Sequence, residues 1–342
     1  MTENIIKSRK SDHIRINLEN DVTSKTNNGL ENYRFIHNAL PELKLDDVDL
    51  TQVIFNKKVL LPLLISSMTG GTEQAHKINQ TLAIAAEQCG LAMGVGSQRA
   101  AINDPKLAKT FNIRNLAPNI LLFANLGAVQ LNYGYGIDAC KKAVDMIQAD
   151  GLIFHLNPLQ EAVQPEGDTN FSGLLNKIET ISKQIHVPVV VKEVGWGISA
   201  EVARRLINVG VSGIDVSGAG GTSWSQVERF RLSDEYDIQV AESFIDWGIP
   251  TAEALISIRN EFPAIPLFAS GGLKNGMDIA KSLALGANLA GMAGVFLKAA
   301  VVSTEHLIKT IKVMEKILRI SMFITGSKDL VSFSSNKLFK IR

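Results

Sequence analysis

The residues best suited to chemistry in this sequence lie in one stretch, Gly151–Glu161, which reads GLIFHLNPLQE. It begins with an apolar run typical of a buried parallel strand, and the polar side chains of His155, Asn157, Gln160 and Glu161 follow at once. An α/β barrel builds its active site in this way, because catalytic groups project from the carboxyl ends of its strands into a shared mouth. A polar loop that carries a core histidine is the alternative interpretation.

A lysine at the end of another apolar run supports the first interpretation. Lys192 ends the segment VPVVVK, and a buried ammonium group there needs an anionic or carbonyl partner. Gly271, Gly272 and Gly294 precede predicted helices, whose N-terminal N–H groups and dipoles bind phosphate. Ordinary tight turns are the alternative for these glycines. A phosphate-bearing ligand with an electron-rich ring meets both needs, and flavin mononucleotide (FMN) is the candidate.

The elements that must position these groups follow a regular rhythm from Leu60 onward. Short apolar runs alternate with segments that carry apolar residues at three- and four-residue spacing, such as AEVARRLINV. This alternation predicts a parallel sheet, and eight runs predict a closed (β/α)8 TIM barrel of the α/β class. A doubly wound open sheet is the alternative, although no GxGxxG follows the first run. The predicted strands are residues 60–66, 91–96, 119–125, 151–156, 187–193, 213–217, 265–270 and 287–293.

Each predicted strand ends in a polar or glycine-rich cluster, and the clusters together define the predicted mouth of the barrel. A single cluster is weak support, since glycines in strand-to-helix turns are often only conformational. Besides the stretch already described, the clusters are Ser66–Gly71, Ser97–Arg99, Asn125, Lys192–Glu193, Ser217–Thr222, Ser270–Gly272 and Ala293–Gly294.

The chain is predicted to form a single domain with a short N-terminal extension and C-terminal helices. We expect residues 1–59 to form a mobile basic arm and a barrel cover, and residues 60–342 to form the FMN-binding barrel with a C-terminal helical segment. Arg9, Lys10 and His13 form a compact cationic group in the arm, either a solvated tail or an arm that closes over a phosphate. The long connection between predicted strands six and seven is typical of a functional lid.

Composition excludes several classes of partner. Lys and Arg number 35 and Asp and Glu 34, a formal charge of +1, so no global field favours nucleic acid or an anionic membrane. No apolar run approaches the ~20 residues of a membrane span. The two cysteines, Cys89 and Cys140, lack metal-type spacing and suit a reducing compartment. We therefore expect a soluble cytoplasmic protein with a small-molecule substrate.

Taken together, the motifs closely resemble those of the type 2 isopentenyl-diphosphate isomerases, from the arm to about residue 330. The resemblance implies an FMN-dependent barrel that interconverts isopentenyl and dimethylallyl diphosphate. It also implies Mg2+, a flavin reduced by NADPH, and a homo-oligomer, either a tetramer or an octamer. The motifs are RKxxH at 9–13, MTGG at 68–71, GSQR at 96–99, HLNPLQE at 155–161, VKEVGWG at 191–197, DVSGAGGTSW at 215–224 and ASGG at 269–272.

The resemblance also implies roles for individual residues. Gln160 and Lys192 would be catalytic, with Lys192 facing the N1/C2 edge of the flavin, and Glu161 would bind Mg2+. The residues implied in substrate binding are Arg9, Lys10, Ser97, Gln98, Arg99, His155, Asn157, Gln160 and Trp224. Those implied in FMN binding are Ser67, Met68, Thr69, Ser97, Asn125, Lys192, Ser217, Thr222, Gly271, Gly272, Ala293 and Gly294.

Two other functions remain open at the level of sequence. An FMN oxidoreductase of the hydroxy-acid oxidase kind would share the barrel, the phosphate site and the lysine. Such enzymes typically need a histidine base and paired arginines, and no histidine follows predicted strands six or seven. A non-catalytic flavin- or phosphate-binding barrel would need neither Glu161 nor the basic arm.

Overall fold

The computed structural model of the chain describes residues 2–341, with side chains from residue 9 onward. Its strands are β1 Tyr33–Phe35, β2 Gln52–Ile54, β3 Lys57–Val59, β4 Leu63–Ile65, β5 Ala92–Gly94, β6 Leu122–Gly127, β7 Gly151–His155, β8 Val189–Lys192, β9 Gly213–Asp215, β10 Leu267–Ala269, β11 Leu289–Met292 and β12 Leu338–Lys340. Its α-helices are α1 Thr2–Glu19, α2 Glu73–Cys89, α3 Arg99–Asn103, α4 Ile137–Ile147, α5 Pro158–Val163, α6 Leu174–Gln184, α7 Ala200–Asn208, α8 Trp224–Arg229, α9 Glu235–Glu242, α10 Thr251–Glu261, α11 Gly276–Ala284, α12 Gly294–Val302 and α13 Thr304–Phe323. Short 3-10 helices cover Leu30–Asn32, Leu45–Asp47, Pro105–Thr110, Ala128–Tyr133 and Ser335–Lys337.

Strands β4 to β11 form a closed barrel in which each strand pairs in parallel with the next and β11 pairs back to β4. This confirms the predicted (β/α)8 TIM barrel. Each strand overlaps one of the predicted apolar runs, and β6 extends two residues past its predicted end at Asn125. The carboxyl ends of all eight strands therefore open on one side of the barrel.

The sequence folds this way because strand and helix segments bury different patterns of apolar side chains. All four residues of β8, VVVK, are buried, as expected for a parallel strand covered on both faces. Helix α13 instead buries Leu307, Ile311, Met314 and Leu318, a stripe at alternating four- and three-residue spacing. The helices thus form an outer layer that packs its apolar stripes against the barrel.

The amino end of the barrel is covered by the hairpin β2–β3. Its tip residues Phe55 and Asn56 have φ of 49° and 62°, as a two-residue hairpin turn requires. The Phe55 ring meets the rings of Phe123 and Phe268 edge-on, with centroids 6.2 and 6.4 Å apart. The hairpin lies within residues 1–59, where a barrel cover is predicted, and on the side of the barrel opposite the predicted mouth.

The N-terminal arm is helical as α1. Its Ile14 side chain is buried at the cavity at the carboxyl ends of the strands, and its Ile16 side chain is buried against Val22, Val227 and Trp224. After α1 the chain reaches β1, which pairs antiparallel with β12 near the C-terminus. The predicted C-terminal helices are α12 and α13, and Gly326 follows them with φ of 68°. The division of the chain at residue 59 and the mobility of the arm stay predictions.

The long connection between β9 and β10 carries helices α8 and α9. Helix α8 packs against α1 and α5, so the predicted lid touches both the arm and the stretch that follows β7. Among the described residues, no helix is both long and apolar enough to cross a membrane.

Candidate active site

A cavity of about 500 Å³ lies at the carboxyl ends of the strands, and it brings together nearly all of the predicted site residues. Helix α1 closes one side of it with Arg9 and Lys10. The other predicted residues that line the cavity are Ser67, Met68, Thr69, Ser97, Arg99, Asn125, His155, Asn157, Gln160, Glu161, Lys192, Ser217, Thr222, Trp224, Gly271, Gly272, Ala293 and Gly294.

Gln98 is the one predicted site residue that does not line this cavity. Its side chain is fully buried, and its amide nitrogen donates to the carbonyl oxygen of Ala143 at 2.8 Å. Its amide oxygen accepts from the backbone N–H of Asn125 at 2.9 Å. Gln98 therefore hydrogen-bonds to β6 outside the cavity, and its side chain has no exposed atoms that a substrate could contact.

One region of the cavity is lined by glycines whose neighbours leave no room for a side chain. A Cβ at Gly271 would lie 2.0 Å from the Gly218 carbonyl oxygen, and one at Gly272 would lie 2.5 Å from the backbone of Gly220. Gly294, by contrast, faces open space at the start of α12, where the first N–H groups of a helix lack partners within it. The open space at Gly294 fits a ligand phosphate at the start of α12.

Lys192 lies at the bottom of the same region. It is buried at the end of β8, in register with His155 on one side and Asp215 on the other. Its Nζ donates to the Glu193 carbonyl at 2.5 Å and lies 3.5 Å from the Ser217 hydroxyl. The buried Ser66 and Ser67 hydroxyls have no partner among the described protein atoms. The lysine and free hydroxyls suit the polar edge of a flavin, so the residues present fit FMN.

Three cations, contributed by α1 and by the start of α3, line another part of the cavity. Arg9 and Lys10 come from α1, and Arg99 begins α3 after β5. The Lys10 Nζ donates to the Ser97 carbonyl at 3.1 Å and lies 5.0 Å from the Phe111 ring centre. Burial, followed by the charges of Arg9 and Arg99, lowers the pKa of Lys10 to about 7. Such a group of cations fits a polyanion such as a diphosphate.

His155 lies between the cationic and the glycine-lined regions. Burial, with a smaller effect from the nearby charge of Lys192, lowers its pKa to about 3. Its Nδ1 is 2.9 Å from the Asn125 side-chain oxygen, which assigns the ring proton to Nδ1. In this form His155 is neutral, with Nε2 free to accept a hydrogen bond.

Oxygen atoms suited to a hard cation surround Glu161 in the first turns after β7. The Glu161 carboxylate is buried and accepts from Asn157 Nδ2 at 2.8 Å, Gln164 Nε2 at 2.5 Å and the Asp168 N–H at 2.7 Å. The side-chain oxygens of Asn157 and Gln164 are buried without a partner among the described atoms. Residues 2–341 contain no cluster of three His, Cys, Asp or Glu side chains that could hold a metal alone. The oxygens fit Mg2+ if a ligand supplies the rest of the shell.

Glu228, which is not among the predicted site residues, contacts the arm through His13 and the stretch after β7 through Gln160. Its carboxylate lies 3.0 Å from His13 Nε2, 2.8 Å from Gln160 Nε2 and 2.5 Å from Arg231 Nη1. Burial opposes its ionisation, but the bonds from His13 and Gln160 and the charge of Arg231 lower its pKa to about 2. The only sequence signal is an acidic residue one turn after Trp224, which is common on solvated helix faces.

Comparisons with known proteins place the chain among flavin-dependent barrels. The family described as FMN-dependent dehydrogenase matches residues 155–340. An isopentenyl-diphosphate delta-isomerase from Nostoc sp. is 54% identical over 324 residues, which cover 94% of this chain and 93% of that protein. One from Oceanobacillus iheyensis is 50% identical over 326 residues, covering 95% of this chain and 93% of the relative.

Solved structures show the same fold at much lower identity. An oxidised mutant of (S)-mandelate dehydrogenase aligns with a TM-score of 0.71 at 17% identity, covering 99% of this chain and 98% of that one. A flavocytochrome b2 mutant with pyruvate bound aligns with a TM-score of 0.72 at 17% identity, covering 96% and 82%. At such identities the likeness concerns the barrel alone.

Proposed function

Because this chain belongs to the type 2, FMN-dependent isopentenyl-diphosphate delta-isomerase family, we propose that it interconverts isopentenyl and dimethylallyl diphosphate with reduced FMN and Mg2+. The reaction would serve isoprenoid biosynthesis. One observation carries this proposal beyond family membership. A single cavity holds a glycine-lined region, three converging cations and a buried carboxylate, which match a flavin, a diphosphate and a divalent cation.

In this proposal the glycine-lined region holds FMN. The backbone of Gly271, Gly272 and Gly294 would contact its phosphate, and Lys192 would stabilise negative charge on the reduced ring. When bound and reduced, FMN would supply the proton-transfer chemistry near N5 that the side chains lack. NADPH is proposed as the source of the electrons that reduce it.

The diphosphate would lie among Arg9, Lys10 and Arg99, with Asn157 and the neutral His155 as further polar contacts. Glu161 would hold Mg2+ together with diphosphate oxygens, because Mg2+ commonly combines one or two carboxylates with substrate phosphates. These contacts bind the end of the substrate that does not react. They fix the position of the isoprenoid carbons at the flavin-binding region.

Gln160 and Trp224 are the side chains proposed to face the reacting carbons. The Gln160 amide is oriented from both ends, since Nε2 donates to Glu228 at 2.8 Å and Oε1 accepts from Asn157 at 3.1 Å. The Trp224 ring meets His13 edge-on at 5.0 Å and offers an apolar surface to the isoprenoid chain. Gln160 does not titrate, so it would orient the proton while the cofactor transfers it.

The proposal is tested by assaying the FMN-loaded protein, with Mg2+ and a reductant, on isopentenyl diphosphate and in parallel on a 2-hydroxy acid. We expect dimethylallyl diphosphate from the first substrate and no product from the second. Formation of a 2-oxo acid without any dimethylallyl diphosphate would instead support an FMN oxidoreductase. Among the described residues that line the cavity, the histidines are His13 and His155. His13 Nε2 is paired with Glu228, and burial lowers the pKa of His155 to about 3, so its free Nε2 is a much weaker base than the histidine that such an enzyme needs.

The lowered pKa of Lys10 predicts that diphosphate binding takes up protons above neutral pH. In the free cavity Lys10 is mostly neutral above about pH 7, because burial and neighbouring cations oppose its charge. A bound polyanion favours the ammonium form and raises this pKa, so protons are taken up at pH 8 and not at pH 6. Calorimetry of inorganic pyrophosphate binding in two buffers of different ionisation enthalpy measures the uptake.

Lys10→Arg is the matched control for this measurement, because arginine stays charged at both pH values. The uptake at pH 8 should be larger in the wild type than in Lys10→Arg, and the wild-type affinity should fall more steeply between pH 7 and 9. Equal proton uptake by the two proteins would place Lys10 outside the diphosphate site.

The oligomeric state and the cellular location of the protein are also proposed. A homo-oligomer, tetramer or octamer, is supported by large apolar side chains that are exposed in the single chain, such as Trp247 at 61% and Val331 at 90%. A cytoplasmic location agrees with the free thiols of Cys89 and Cys140.

A further inference from the structure

The turn Gln164–Asp168 after α5 lies directly behind the acidic side of the cavity. The N–H of Gly167 donates to the Gln164 carbonyl at 3.2 Å, which closes the turn. A Cβ at Gly167 would lie 1.8 Å from the Glu161 carbonyl oxygen. A glycine is therefore required for the turn to press against the backbone of Glu161, and this contact fixes where the next residue, Asp168, stands.

Asp168 contacts both the acidic and the cationic side of the cavity. Its N–H donates to Glu161 Oε2 at 2.7 Å, and its carboxylate Oδ2 lies 2.6 Å from Arg99 Nη1. Gln130 Nε2 donates to the same oxygen at 2.9 Å. The Arg99 and Asp168 side chains are only 18% and 23% exposed, so solvent screens this ion pair less than a surface pair.

Arg99 lines the cavity, whereas Asp168 is not among the residues that line it. A guanidinium has five N–H donors in a rigid plane, so an anchor on one edge leaves the other edge for a ligand in a fixed direction. Because Gln130 and the turn already hold the Asp168 carboxylate, the anchor itself has little freedom. The direction of Arg99 is thereby set before any anion arrives.

We propose that Asp168 is the positioning residue that orients Arg99 toward the diphosphate and couples it to the Glu161 carboxylate. This inference rests on the proposed function, since it assigns Asp168 to the diphosphate end of that same site. Two simpler roles make different predictions. If the Asp168–Arg99 ion pair were purely structural, removing it would lower the stability of the protein and leave anion binding unchanged. If Asp168 were a counter-ion that the ligand must displace, removing it would strengthen anion binding.

The test is calorimetric titration of the FMN-loaded protein with inorganic pyrophosphate in the presence of Mg2+. Asp168→Ala removes the anchor and is expected to weaken pyrophosphate binding roughly tenfold, as losses of orienting groups behind a ligand commonly do. Asp168→Asn keeps an oxygen that can accept from Arg99 and should lose less. Both substitutions leave the backbone N–H to Glu161 in place. In the isomerase assay Asp168→Ala should raise the KM for the diphosphate substrate with a smaller change in kcat.

The Arg99→Met variant shows whether Asp168 acts through Arg99 or whether its loss disturbs the protein as a whole. If Asp168 acts through Arg99, then Asp168→Ala should cause no further loss of pyrophosphate affinity in Arg99→Met. Glu261→Gln is the matched control, because it removes a carboxylate from an arginine pair, Arg204 Nε to Glu261 Oε1 at 2.5 Å, on the outer helical layer. Its pyrophosphate affinity should equal that of the wild type.

Tighter or unchanged pyrophosphate binding by folded Asp168→Ala and Asp168→Asn would overturn the inference, and so would an equal loss in the wild-type and Arg99→Met backgrounds. The outcome is separable from that of the proposed function. A wild type that isomerises isopentenyl diphosphate alongside a tight-binding Asp168→Ala would refute only the role of Asp168. A wild type without isomerase activity would refute the proposed function, whatever the pyrophosphate titrations show.

Discussion

Replacing Glu161 with Gln is expected to reduce isomerase turnover by roughly a hundredfold or more and to raise the Mg2+ concentration needed for half-maximal rate. The carboxylate accepts three hydrogen bonds, from Asn157, Gln164 and the Asp168 N–H. An amide in its place must turn an NH2 group toward one of these donors and also loses the negative charge that attracts the cation. Initial rates across a Mg2+ titration measure both effects.

The flavin should be unaffected by this change, because Glu161 is proposed to touch the metal and not the ring. FMN affinity and the flavin absorbance spectrum of Glu161→Gln should match those of the wild type. Glu179→Gln is the control for charge, since it removes an exposed carboxylate paired with Lys183 on α6. An unchanged Mg2+ titration in Glu161→Gln would remove the metal role from this residue.

Replacing Lys192 with Met should lower FMN retention and reduce turnover by roughly a hundredfold or more, the usual cost of losing one preorganised charge-stabilising group. Lys192 is buried in register with His155 and Asp215. Its ammonium is the cation proposed to stabilise negative charge on the reduced ring, and methionine fills a similar volume without charge. Retention is measured as bound flavin per chain after gel filtration.

The redox potential of bound FMN gives an independent readout for Lys192. Loss of a nearby positive charge should make the potential more negative, because the anionic reduced form loses more stabilisation than the neutral oxidised form. Lys183→Met, a change on the outer surface of α6, should alter neither quantity. Wild-type flavin content and potential in Lys192→Met would show that β8 does not face the ring.

Much of the fold was predictable because buried parallel strands and amphipathic helices have different periodicities. The position of Lys192 at the end of VPVVVK was enough to place it in the mouth, since strand ends share one side of a barrel. The same reasoning failed for Gln98. It lies in a turn after β5, where backbone geometry and not strand alternation decides which way a side chain points.

Contacts between segments that are distant in the sequence could not be predicted, because local sequence patterns carry no information about them. Glu228 meets His13 across 215 positions, and Asp168 meets Arg99 across 69. Nothing in the local sequence distinguishes these carboxylates from ordinary solvated ones, since each acquires its partner only when α8 or the turn after α5 docks on the barrel. The pairing of β12 with β1 likewise joins segments about 300 residues apart in the sequence, so it forms only when the rest of the chain has brought them together.

The most direct test of the central claim is a count of electrons per product. Double-bond migration leaves substrate and product at the same oxidation level, whereas an oxidoreductase exchanges two electrons in every turnover. We expect protein with FMN reduced anaerobically by limiting NADPH or dithionite, in the presence of Mg2+, to convert isopentenyl diphosphate through many turnovers. The reduced flavin spectrum should persist throughout. Consumption of reductant in proportion to product would contradict the account.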